Sequence, residues 1–217
     1  MADFNGSMSD PRNGGAGPSI EQLCLTVDAG LIPRFFKLTE RGFKLQIKTG
    51  LTIRALLSQH LGISKDYVDN RIQTIFLDGK PVDDVDTALI ENGSTLALSA
   101  AMPGLVGITL RKGGFYASLR NTISYSKTEA SIVKDAGEIN LKLFNMIANE
   151  LGPAFLENGI MVDGNTFQNF VQRNVEDLKA SCVSMQLNDE KINVAGLLEM
   201  NWENTDIFLK VTPEQKL

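Results

Sequence analysis

The chain has 217 residues, 43% of them hydrophobic and 22% charged, which excludes a disordered or fibrous polymer and leaves room for one large domain or two small ones. Its formal net charge of -5, with both signs interspersed, provides no basic field for a phosphate backbone or an anionic lipid surface, so neither nucleic acid nor membrane is expected as a partner. Apolar runs fall far short of the ~20 residues of a spanning helix, and Met1-Ala2-Asp3-Phe4-Asn5-Gly6 lacks the basic and apolar segments of a secretory signal, so the expected location is cytoplasmic.

Residues 1–18, rich in Gly, Ser, Asn, Asp and Pro, cannot bury enough apolar surface to offset their ordering entropy and are expected as a flexible tail. Gln22-Leu23-Cys24-Leu25-Thr26-Val27 then alternates with the period of a half-buried strand, and Gly30 and Pro33 punctuate the chain. Phe43, Leu45 and Ile47, interleaved with Lys44, Gln46 and Lys48, predict a strand with one wet face. Thr52 is placed to cap a helix whose apolar stripe is Ile53, Leu56, Leu57 and Leu61, ended by Gly62. A short turn from Ser64 leads to a strand over Ile72–Leu77. Asp78-Gly79 is a tight-turn signal into Lys80-Pro81-Val82, and Asn92-Gly93 precedes a further strand at Ser94–Ser99.

The order strand, strand, helix, strand, hairpin, strand resembles the β-grasp (ubiquitin-like) fold. Three pieces carry the likeness: Thr52-Ile53-Arg54-Ala55-Leu56-Leu57, Leu77-Asp78-Gly79-Lys80-Pro81-Val82, and Leu89-Ile90-Glu91-Asn92-Gly93-Ser94-Thr95-Leu96-Ala97-Leu98. They are similar to the sulfur-carrier branch, the small subunit of molybdopterin synthase and the thiamine sulfur carrier. The resemblance covers roughly Leu23 to Gly104, under half of the chain, and implies a β-grasp domain over 19–104. It also implies a carrier that works through a free C-terminal Gly-Gly. The matching position here, Met102-Pro103-Gly104-Leu105, has one glycine, and the chain continues. A second glycine pair, Gly113-Gly114 after Leu110-Arg111-Lys112, is similar to the tail of ubiquitin and would be freed by cleavage before Phe115. Read from the residues alone, the same pair is the turn of a hairpin between Ile108–Arg111 and Phe115–Arg120.

Residues 105–217 predict a second α+β domain. Ile139, Leu143, Ile147 and Leu151 recur every four residues and predict a helix over 138–151, stopped by Gly152-Pro153. Asn165 with Gln168 resembles a capping box for a second helix through Phe167, Phe170, Val171, Val175 and Leu178. A terminal antiparallel set is expected at 183–187, 192–194 and 207–211, with a turn at Asn188-Asp189.

Chemistry is sparse. His60 is the sole histidine and suits a helix C-terminus. Cys24 and Cys182 lie far apart among apolar neighbours and read as core thiols, with no zinc or CxxC spacing. Asp83, Asp84 and Asp86 lack the glycine and terminal glutamate of a calcium loop and read as a solvated turn. No phosphate-binding glycine loop is present, and neither a metal nor a cofactor is expected. The feature that stands out is Ala100-Ala101-Met102-Pro103-Gly104-Leu105-Val106-Gly107, which is uncharged and nearly all apolar where linkers are usually polar. It is expected either to pack inside a core or to serve as a contact patch for a protein partner or a second copy, with Met102, Pro103, Gly104, Leu105 and Val106 at the interface. The reading that follows is a non-enzymatic interaction or assembly module. The alternatives are a carrier processed at Gly113-Gly114 and an enzyme built from dispersed carboxylates such as Asp163, Glu199 and Glu203.

Overall fold

The computed structural model describes residues 18–101, 104–116, 124–125 and 135–215. In chain order the elements are β1 (Ser19–Val27), α1 (Ile32–Arg41), β2 (Phe43–Lys48), α2 (Ala55–His60), α3 (Tyr67–Arg71), β3 (Thr74–Leu77), β4 (Lys80–Pro81), β5 (Thr95–Ser99), α4 (Gly104–Leu110), β6 (Ala136–Phe144), α5 (Asn145–Asn158), β7 (Ile160–Asp163), α6 (Gly164–Arg173), α7 (Val175–Ser181), β8 (Cys182–Leu187), β9 (Glu190–Lys191), α8 (Val194–Glu199) and β10 (Thr205–Pro213). The class is mixed α and β. The described residues divide into two compact units that are not consecutive in sequence: an inserted unit, Lys44–Ala148, and a discontinuous unit joining residues 18–43 to those from Asn149 onward. The division expected at 104/105 follows sequence order, whereas the units follow strand pairing.

In the inserted unit the strands lie in the order β4-β3-β5-β6-β2. β3 is antiparallel to both β4 and β5, and β5 runs parallel to β6 from Thr95↔Asn140 to Ser99↔Phe144. Asp78 and Gly79 turn the β3–β4 hairpin with φ of 51° and 76°, a left-handed pair that Asp-Gly tolerates and most residues resist. Thr52 caps as expected, its Oγ1 accepting from the Ala55 N–H at 3.1 Å. The helix that follows is wider than an α-helix: the Leu61 N–H reaches the Leu56 carbonyl, an i→i−5 bond. Ile53, Leu56, Leu57, Ile75, Leu96, Leu98, Leu141 and Leu143 are all buried.

The helix expected over 138–151 is instead β6 followed by α5. A spacing of four fits a period of 3.6 and a period of 2 equally well, so Ile139 and Leu143 could not distinguish them. Leu141 decides the matter: a helix would put it opposite Ile139, and it is fully buried beside Leu143 in the strand. The helix that then forms runs through Gly152-Pro153 to Asn158. Gly152 is there for close approach, because a Cβ would stand 2.9 Å from the Phe36 ring.

The discontinuous unit orders its strands β7-β10-β1-β8-β9. β1 and β10 form a nine-residue parallel ladder from Ser19↔Thr205 to Val27↔Pro213, and β8 and β7 are antiparallel to β1 and β10 respectively. This corrects the expectation that Gln22–Val27 is the opening strand of the 19–104 domain. Leu23, Leu25 and Val27 bury themselves alongside Leu209 and Val211, and the place parallel to β5 is held by β6. Phe43–Lys48 and Thr95–Ser99 do share one sheet.

Three further corrections have local causes. Pro33 does not break the chain but lies in the first turn of α1, where no helical N–H bond is lost. Asp163, not Asn165, caps α6 by accepting from the Thr166 N–H at 2.9 Å, and that helical stretch is interrupted at Asn174. The strand expected at 192–194 gives way to α8, capped by Asn193, which accepts from the Gly196 N–H at 2.9 Å. The core here is aromatic. Phe35 packs at a tilt against Phe170 at 4.9 Å, Phe167 meets Trp202 edge-on at 5.4 Å, and Trp202 Nε1 donates to the Leu197 carbonyl at 3.0 Å.

Candidate functional site

The hairpin expected over 108–120 does not form among the described residues. After β5 the chain enters α4 through Gly104, whose φ is +79°, and Thr109 Oγ1 donates to the Val106 carbonyl at 2.8 Å. Gly113, at φ +60°, then reverses the chain. A Cβ on Gly114 would come within 3.1 Å of the Arg111 carbonyl and 3.7 Å of that of Ile108, so the segment leading to Phe115 folds back against the last turn of α4.

Three bonds fasten this turn to the inserted unit. The Lys112 N–H donates to the Gln73 carbonyl at 2.7 Å, Lys112 Nζ donates to the Val68 carbonyl at 2.6 Å, and the Gly113 N–H donates to Asp83 Oδ1 at 3.2 Å. Burial pushes the Lys112 ammonium below its ordinary range. Nearby Arg54 spans Asp69, at 2.8 Å from Nη1, and Asp86, at 3.0 Å from Nη2. The hydrogen bond from Arg54 holds the Asp86 carboxyl below its ordinary value, and those to Asp86 and then Asp69 hold the guanidinium above its own.

What this well-anchored segment presents to solvent is apolar. Gly107 alone is buried in α4, while Leu105 is 74% exposed, Val106 63%, Ile108 54% and Phe115 89%. Tyr116 is also exposed and packs edge-on against Phe115 at 5.2 Å. Of the residues expected at the interface, Gly104 opens the helix and Leu105 and Val106 project from it. Met102 and Pro103 lie outside the described residues. Ile108 and Phe115 were missed because both had been assigned to strands of the expected hairpin. The absence of any acidic residue from Gly104 to Tyr116 was the available signal. Gly113 and Gly114 form the turn itself, and cleavage there is neither favoured nor opposed by these contacts.

The other candidates do not converge. Asp83 accepts from Gly113 and from Ser124 Oγ, Asp84 from the Asp86 N–H at 2.8 Å, and Asp86 from Arg54, so each carboxylate has its own separate partner. Among the described residues no group of three or more His, Cys, Asp or Glu is placed to hold a metal ion. His60 is exposed in the last turn of α2. Cys24 and Cys182 are free and half-buried rather than in the core; burial raises the Cys182 thiol. Their strands pair Cys24 with Gln186 and Cys182 with Val27, so they do not face each other. Asp163 caps a helix, and Glu199 and Glu203 are exposed. None of the three lines the open groove of about 510 Å³ in the discontinuous unit, whose walls include Ile32, Pro33, Phe36, Pro153 and Glu157.

The fold and the site together define a mixed α and β protein with an exposed apolar helix, in which no described helix is long and apolar enough to cross a membrane. No protein-family model, no curated protein and no solved structure matches the chain.

Proposed function

We propose that this protein is a non-enzymatic interaction or assembly module whose contact surface is the stretch from Leu105 to Tyr116. One observation carries the reading. Of the nine large apolar side chains exposed among the described residues, five fall within these twelve positions: Leu105, Val106, Ile108, Phe115 and Tyr116. Scattered exposed apolar residues need no explanation, but a cluster held in place by specific bonds does. Burying a side chain of this size gains about 1.5–3 kcal/mol, which is forfeited unless something covers it.

The β-grasp reading of the inserted unit belongs to the same proposal. Its support is the antiparallel β3–β4 hairpin, the Thr52-capped helix that follows β2, and the parallel β5–β6 pair at the centre of the sheet. In this reading β6 takes the role that the sequence offered to Gln22–Val27. The carrier reading has no comparable support.

The test is a photocrosslinking amino acid at Phe115, with exposed Glu190 as the control position, in cells that make the protein. Crosslinks to protein from position 115 and not from position 190 are expected. A position 115 that reacts with water alone would sink the proposal.

A further inference from the structure

Building on that contact surface, we infer that its occupant is a second copy of this chain, paired about a two-fold axis that places α4 against α4 and Phe115 beside its counterpart. Two observations argue for it. The first is area. The five exposed side chains offer on the order of 500 Å² of apolar surface, so apposing two such faces removes roughly 1,000 Å² from water, where specific interfaces begin. A larger partner would need neighbouring surface to match, and the rim of this patch is charged.

The second is the pattern of that charge. The bond from the Gly113 N–H to Asp83 Oδ1 ties the acidic turn to the segment that carries Arg111, and Asp84 and Arg111 are both exposed. Lys112 adds little outward charge, because its ammonium is turned onto the Val68 carbonyl. Asp86 is already paired with Arg54, so a partner of one strong charge finds no matching net field on this rim. A two-fold interface is isologous and must complement itself, and a rim bearing both signs does so when rotated onto its own image.

The experiment is light scattering on the full chain from about 1 to 200 μM, with circular dichroism to monitor folding. Twice the monomer mass is expected, as is a dimer weakened at least about tenfold by Leu105→Asp with Ile108→Asp, the helix signal unchanged. Phe115→Ser, which leaves α4 intact, is expected to weaken it in the same direction and decides the matter if the double variant fails to fold. A monomer at every concentration, or a dimer unaffected by folded variants, overturns the second-copy inference. The crosslinker at position 115 then separates the two failures. If it captures a different protein, the contact-surface reading stands without self-association, and if it captures none, both readings fall.

Discussion

The two units are built from similar parts and handle their apolar residues differently. Each has five strands with a parallel pair among them, β5–β6 in one and β1–β10 in the other. Each also has a hairpin with two left-handed residues at its turn, Asp78-Gly79 and Asn188-Asp189. The discontinuous unit turns its aromatics inward around Trp202, and its exposed apolar residues, such as Val183 and Leu198, are isolated. The inserted unit has an aliphatic core and leaves Phe115, the most exposed large apolar residue among those described, at the end of a fastened turn. Apolar side chains that a fold does not use for its own core are the ones available for a partner, and among the described residues the run of them from Leu105 to Tyr116 belongs to the inserted unit.

That contrast can be broken most severely at Trp202. Trp202→Ala is expected to cost about 3–5 kcal/mol, measured by urea unfolding followed by circular dichroism. A loss below about 1 kcal/mol would mean that the aromatic cluster does not organise its unit. Gly164→Ala follows, at about 1–3 kcal/mol, because the new Cβ would stand 2.2 Å from the Trp202 carbonyl oxygen and backbone must yield. An unchanged unfolding midpoint would refute that close approach.

The ion pair in the inserted unit gives a smaller and pH-dependent effect. The pairing with Arg54 depresses the Asp86 pKa in the folded protein, so its stabilisation is present above the ordinary carboxylate value near 3.8 and fades as pH falls through the lower folded value. Asp86→Asn is expected to cost at most about 0.5–1 kcal/mol at pH 7, since the pair is partly exposed, and progressively less as pH falls through the lowered folded value. A cost independent of pH would assign Asp86 another role. The smallest effect is expected at the surface patch. Leu105→Asp should shift the stability of the dilute protein by no more than about 0.5 kcal/mol, and a loss of several kcal/mol would return Leu105 to the core.

Much of this was legible in the sequence where one local rule decides. Asp78-Gly79 and Asn188-Asp189 announced their turns, Thr52 its helix, and the alternation of Phe43, Leu45 and Ile47 its strand. The insertion was not legible, because the partner of Gln22–Val27 lies 186 residues away in β10, and pairing at that distance leaves no local trace. Ile139, Leu143 and Ile147 misled because their spacing suits both periods. At the site, Leu105 and Val106 were visible as an uncharged run, whereas Phe115 was hidden by a glycine pair that reads equally well as a hairpin turn.

The most direct test of the contact surface is hydroxyl-radical footprinting of the purified protein across the same concentration range, reading side-chain oxidation by mass spectrometry. Oxidation of Phe115 and its neighbours in the 105–116 peptide is expected to fall as concentration rises, while Val183 and Leu198 keep their rates. Equal rates for Phe115 at every concentration, with no protection in lysate from the native host, would contradict the account.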